Sequence, residues 1–388
     1  MITDDFSLMR GGPTYRAVHA VGRWLPGVRL SWLLAAVLCT IAFVPLAVLS
    51  WRDGTLLPGS VAMPLLADWF LIFRFLLALP LLVLAAAGAD ARLRAAMRQF
   101  GRSGLVPARV RPRFERILQG ARRARDSWFP ELACLLLAIL PVIGRPLAPE
   151  LVGAAYGASG DWQFAGGGHT AAGLWAEQVA APLFRFVLLL WLWRFVLWSW
   201  LLWRFSRIHL ALCAAHPDQA GGLAFLGQAQ TRFVFLAAAC GLVVSGYCIN
   251  LLLYSGETLF GLRYLIVGYA AGATLALLAP LLPMAAPLAR AKRHALFKYG
   301  LLGQRVARDF DRLWRRGGSE SMLDSPSPSA LADYGGGPYA NVAAMHLVPV
   351  TRRNLLSLAF AATAPFVPMF FFAMSMDELA KRLFSILM

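Results

Sequence analysis

Acidic residues are scarce in this 388-residue chain: 20 Asp and Glu stand against 37 Lys and Arg, for a formal net charge of +17. Lysine is nearly absent at 3, so the positive charge is almost wholly arginine. Cysteine is sparse too. Cys39, Cys134, Cys240 and Cys248 fall in apolar runs and Cys213 in a basic segment, which excludes a disulfide framework. P-loop, zinc-protease and nucleophile-elbow motifs are missing, and no internal repeat is visible. A net charge of this size suggests nucleic acid in a soluble protein. Here no basic soluble domain with aromatic platforms is present, so nucleic acid is excluded as a partner.

Charge is also missing from four long stretches: Leu30–Trp51, Phe233–Gly256, Tyr264–Ala289 and Leu355–Met376. A helix rises about 1.5 Å per residue across a hydrocarbon core of about 30 Å, so each is long enough to span a bilayer. Continuous apolar runs fit helices and not the alternation of a barrel. Adding runs interrupted by single charges, the expectation is an all-α polytopic transmembrane helix bundle with cytoplasmic amphipathic helices. It forms one membrane domain over 1–388 with about seven spans, at 30–51, 66–88, 128–144, 180–203, 233–254, 264–286 and 355–376. The first run begins too late and runs too long for a cleaved signal peptide, so it reads as an anchor.

The basic residues set the orientation. Segments 1–29, 89–127, 204–232 and 287–354 hold 4, 11, 3 and 11 Lys or Arg, 29 of the 37. The opposite segments hold 5, and 3 lie within spans. By the positive-inside rule the heavily basic side is cytoplasmic, with the N-terminus inside and the C-terminus periplasmic in a bacterial inner membrane. The short run 128–144, with Glu131 and Pro141, must cross for this count to hold. The bilayer and its anionic headgroups are the expected partners of the basic segments, and a homo-oligomer is compatible with the pattern.

Between spans, Ala91–Phe100 and Phe114–Ser127 read as amphipathic helices. Leu302, Val306, Phe310, Leu313 and Trp314 fall on one helical stripe with arginines on the other faces, an interfacial pattern. Residues 317–340 are rich in Gly, Ser and Pro and predict a flexible linker. Residues 145–179 predict a plain glycine-rich outer loop. Ala237, Gly241 and Ser245, and separately Gly268 and Gly272, have the small-residue spacing of close helix packing. Among the tryptophans of the fourth span, the deeper ones read as lipid-facing.

Two groups of residues carry candidate chemistry. His209, Cys213 and His216 stand at i, i+4 and i+7, and Asp218 follows in a Pro217 turn. On a continuing helix these share one face and offer a tetrahedral site for a divalent transition metal; packing is the other reading, and it implies no cofactor. Gly221 and Gly222 complete the stretch His216-Pro-Asp-Gln-Ala-Gly-Gly-Leu-Ala-Phe-Leu226. That stretch resembles an HPD-x-AGGL-x-FL signature of uncharacterised bacterial multi-pass inner-membrane proteins, with Ala224 in place of glycine and His209 in place of aspartate. The resemblance implies architecture and no activity.

The second group is Arg74, Arg185 and Arg194, inside spans. Arg74 and Arg185 lie about 12 and 8 Å below the outer boundary and Arg194 about 21 Å below it. Buried arginine marks a pathway or a pair. One reading pairs Arg74 with Glu177 and Arg185 with Asp68; the other lines a small-anion pathway. The sequence leans to a channel- or transporter-like protein without covalent chemistry. A membrane scaffold or signalling protein is the alternative and a membrane-bound metalloenzyme the third.

Overall fold

The structure is a computed structural model that describes residues 6–22, 29–59, 61–144, 161–165, 168–315 and 326–373. Most of the predicted outer loop and part of the predicted linker lie outside the described residues, as does the chain beyond 373. Among the described residues, six helices are long and apolar enough to cross a membrane: α2 (Leu30–Arg52), α3 (Trp69–Arg102), α6 (Ala171–Ser206), α7 (Phe225–Tyr254), the run of α8 (Leu259–Leu278) into α9 (Ala285–Arg315), and α12 (Arg352–Phe372). A seventh follows if α4 (Arg111–Asp126) and α5 (Trp128–Gly144), bent by 45° at Ser127, count as one broken span. The chain is built as a multi-pass integral membrane protein. Shorter helices are α1 (Pro13–Gly22), α10 (Pro326–Tyr334) and α11 (Ala340–Ala344).

Local chemistry sets the helix starts. Asp68 accepts the Leu71 amide hydrogen at 3.2 Å, and Thr170, Thr258 and Thr351 accept those of Gly173, Gly261 and Asn354 at 2.9, 3.2 and 3.2 Å. Each such cap contributes about 1 kcal/mol. Pro280 and Pro283 lie in a 3-10 turn, Ala279–Met284, between α8 and α9, where their missing amide hydrogens are tolerated. The predicted outer loop has more order than expected: Phe164–Ala165 pairs antiparallel with Gly168–His169 ahead of α6.

The arginine-rich side has its own core. Leu93, Met97 and Phe100 of α3 and Phe114, Ile117, Leu118 and Ala121 of α4 are buried, as their 3.6-residue periodicity predicts. Phe100 packs on Phe114, Phe205 and Phe225 at ring separations of 5.9, 5.1 and 5.1 Å, and Phe114 stacks on Phe205 at 4.8 Å. These rings tie α3, α4, α6 and α7 together outside the apolar spans.

Several expectations are corrected. Residues 326–339 are not a loose linker: α10 and a following π turn, Gly335–Tyr339, pack on α9, where the Tyr334 hydroxyl donates to the Tyr299 carbonyl. Gly303 makes room, since a Cβ there would lie 2.8 Å from the Tyr334 ring. Trp191 and Trp198 face inward, where each buried indole N–H finds an acceptor. Theirs are the Leu82 carbonyl at 3.1 Å and Gln230 Oε1 at 2.8 Å. Gly241 does permit close packing, a Cβ there meeting Pro365 Cγ at 2.9 Å, but nothing approaches Gly268 or Gly272 within 4 Å.

Candidate functional site

A buried polar cluster is built on Arg194 of α6. Arg194 is a buried cation, 9 % exposed. Its Nη1 donates to the Leu8 carbonyl at 3.3 Å and to the Met9 carbonyl, and its Nη2 to the Gly11 carbonyl at 3.3 Å. The N-terminal segment is thus folded into the arginine-rich end of the bundle, with Phe6 and Leu8 only 1 % exposed. Thr14, in the first turn of α1, donates from its amide and its hydroxyl to Glu131 Oε2 at 2.7 and 2.5 Å. Ser7 donates to Asp90 of α3, and Arg125 of α4 donates to the Ser7 carbonyl. Asp90 also pairs with Arg10 at 2.9 Å and Arg94 at 3.0 Å. Four helices therefore hold residues 7–14 through Asp90, Arg125, Glu131 and Arg194, each bonded to that segment.

Gly12 makes the grip possible. Its φ of +88° belongs to the left-handed region, and a Cβ there would sit 1.9 Å from Glu131 Oε1. None of this cluster was visible in the sequence except Arg194. Glu131, in the short run 128–144, was the other available signal, a carboxylate within a span; Asp90 falls in the basic segment 89–127 and gave none.

Arg74 and Arg185 are placed differently. Arg74 sits in a π turn, Phe73–Ala78, with its guanidinium 5.6, 5.3 and 5.0 Å from the ring centres of Phe70, Phe75 and Phe184. Glu177 lies in a matching π turn of α6, Ala176–Ala180, and both residues line one cavity of about 30 Å³ with Asp68. The structure thus brings Arg74 and Glu177 to a common site. Arg185 instead donates to the Ala138 carbonyl of α5 at 2.7 Å. Asp68, its expected partner, accepts from Trp162 Nε1 at 3.0 Å and Asn250 Nδ2 at 2.9 Å besides capping α3. The three arginines occupy three separate surroundings and form no single ring.

The His-Pro-Asp stretch is a turn on the arginine-rich side. Helix α6 ends at Ser206, so His209 and Cys213 are not on a helix, and the i, i+4, i+7 face does not form. His209, Cys213 and His216 are exposed, and no group of three His, Cys, Asp or Glu side chains gathers as a metal site among the described residues. Asp218 turns inward. One carboxylate oxygen accepts the Ala220 and Gly222 amide hydrogens at 2.9 and 3.0 Å, and the other that of Ala224 at 3.1 Å. Burial pushes its carboxyl upward, but the three amides and the nearby His216 outweigh this and hold it below the usual value.

His216 Nδ1 lies 2.9 Å from Asp218 Oδ1 and 3.2 Å from the Asp218 amide nitrogen. An Nδ1 without hydrogen accepts the amide hydrogen there, whereas an Nδ1–H donates to the carboxylate; one nitrogen cannot do both. Pro217 fixes the turn, and Gly221 and Gly222 follow with φ of +64° and +92°. A Cβ on Gly221 would lie 3.1 Å from Met345 Cε, and one on Gly222 3.3 Å from Leu105 Cδ2. Neighbouring backbone finishes the junction. The Ala211 amide donates to the Leu105 carbonyl at 2.9 Å, the His346 amide to Gln219 at 2.7 Å, and Lys292 Nζ to Met345 at 2.8 Å. The turn fastens α9 and two connecting segments to one another.

No family model matches the chain, and no curated protein or solved structure does. The contacts of its own residues carry the functional argument.

Proposed function

We propose that this is a bacterial inner-membrane protein, N-terminus cytoplasmic and C-terminus periplasmic, whose bundle passes a small anion without covalent chemistry. The observation that carries the reading is the buried Arg194 guanidinium, held by neutral carbonyls of a docked N-terminal segment. An anion adds ion–ion attraction and bidentate bonding that a neutral carbonyl does not offer, so an arriving anion competes for this cation. In this reading the segment Phe6–Gly12 is a cytoplasmic closure. Arg185 and Arg74 continue the series of cations toward the other face.

Efflux of chloride, nitrate and sulfate from proteoliposomes tests it. The expected result is flux for at least one anion, reduced about tenfold or more in an Arg185→Ala/Arg194→Ala variant, where loss of the two pathway cations outweighs release of the segment Phe6–Gly12. Flux at the unsubstituted level in that variant rejects the pore-arginine reading. Absence of flux for all three anions favours a membrane scaffold. That second reading rests on the 31-residue α9, whose exposed Phe297, Leu301 and Leu302 sit among lysines and arginines, as on a helix lying against anionic headgroups.

A further inference from the structure

Two neighbouring cavities open where α1 crosses α2 and α3. The larger, about 320 Å³, and the smaller, about 210 Å³, share the walls Met9, Tyr15, Val18, Leu34, Val83 and Ala86. Tyr15 and Val18 stand three positions apart on α1, so one face of this short helix straps both.

The two ends differ in character. The larger cavity follows α6 from Leu183 to Arg194, about 16 Å along the helix axis, between walls that are almost entirely apolar. Arg194 and Thr14 stand at its polar end. There the Arg194 Nε–H is buried with no hydrogen-bond partner, although the other guanidinium nitrogens are bonded. The smaller cavity adds Arg10, His19, Ser31 and Asp90. Among the described residues Asp90 is its one carboxylate, and it already carries both Arg10 and Arg94. Among the described residues positive charge is therefore in excess at the mouth, and the Arg10 side chain is 49 % exposed.

An apolar slot along a span, ending in surplus cation at the arginine-rich side, has the amphiphilic form of a membrane lipid. Its volume is that of a ligand site and not of a packing defect. We propose that the paired cavities bind one anionic phospholipid, an acyl chain lying along α6 and the phosphate at Arg10 and His19. This inference rests on the cavities and stands whether or not the protein passes an anion.

Native mass spectrometry of the full chain, extracted from bilayers of equal phosphatidylglycerol and phosphatidylcholine, tests it. The expected result is one phosphatidylglycerol retained per chain. Ala86→Phe, which fills the wall common to both cavities, should lower retention about tenfold, with circular dichroism reporting its fold. Leu34→Trp fills the slot from the α2 side and replaces Ala86→Phe if that variant fails to fold. Arg10→Ala should leave a lipid bound but cut the preference for phosphatidylglycerol about fivefold, the worth of one surface cation. Equal retention of the two lipids by the unsubstituted chain, or undiminished retention by a folded cavity-filled variant, overturns the proposal.

Discussion

Arg194 of α6 and Gly11 are 183 positions apart in the chain, yet the arginine Nη2 donates to the glycine carbonyl at 3.3 Å. A long-range bond to backbone is a different device from an ion pair. It uses a side chain in the middle of a span to hold a segment that lies outside every span. Because a guanidinium has five donors in one plane, a single arginine can take the Leu8, Met9 and Gly11 carbonyls together.

Removing the clamp should release the segment while the bundle persists. Arg194→Ala leaves three carbonyls without their donor, and the expected loss is about 3 kcal/mol of docking stability. Gly12→Ala places a methyl against Glu131 at a positive φ, for a loss on the order of 2 kcal/mol. Hydrogen exchange checks both. Amides of residues 6–12 should exchange far faster in either variant, with those of α7 unchanged; protection equal to the unsubstituted chain would show that the segment docks by other contacts.

Asp218 should govern acid stability of the turn. Its folded carboxyl lies below the unfolded value of about 3.9, so its contribution is complete above that pH and is lost as pH falls through the folded value. Asp218→Ala leaves three amides without an acceptor and should cost about 3 kcal/mol; Asp218→Asn keeps one acceptor oxygen and should cost about half that. Thermal melts of detergent-solubilised protein between pH 3 and 7 are the measurement. The asparagine variant should show a shallower acid decline, and an identical decline would assign the acid sensitivity elsewhere.

Much of the architecture was legible because its physics is local. A span is a run of apolar residues, and a half-buried helix is a periodicity, so α2, α4 and the start of α12 fall close to their predicted places. The helical Pro326–Tyr339 was not legible, because Gly335, Gly336 and Pro338 favour a loop until packing on α9 overrides them. The inward tryptophans were missed for a related reason: Trp191 and Trp198 are told from lipid-facing ones only by acceptors on α3 and α7. Of the candidate site, Arg194 and the Asp218 turn were found by residue type. The docking of the N-terminal segment was hidden, since nothing in Phe6-Ser-Leu-Met-Arg10 distinguishes a docked segment from a surface one.

The exposed face of the turn predicts how its cysteine behaves. Cys213 is exposed, Cys134 and Cys248 are buried, and Cys39 and Cys240 are half-buried. Burial within the bundle shields the other thiols from a polar reagent. A water-soluble maleimide should therefore label the folded protein at Cys213 first, and Cys213→Ser should abolish the fast phase. Added zinc should leave the rate unchanged, and elemental analysis should find well under one transition-metal ion per chain. Stoichiometric metal together with zinc protection of Cys213 would instead restore a site at His209, Cys213, His216 and Asp218.

Orientation gives the remaining prediction. Arginine is kept on the cytoplasmic side during insertion, and the segments 89–127 and 287–354 carry 11 basic residues each. Both lie on the same side only if α5, with 17 residues, completes a crossing. The bend of 45° between α4 and α5 offers a way to do so, α4 lying on the basic side and α5 entering the membrane. Dual reporter fusions at 150–170 and at 320–335 decide it. Alkaline phosphatase should be active at the first site and green fluorescence should appear at the second. A cytoplasmic signal at the first would make α5 a re-entrant hairpin, and an outer signal at the second would place the amphipathic α9 in the periplasm, reversing the reading of its arginines.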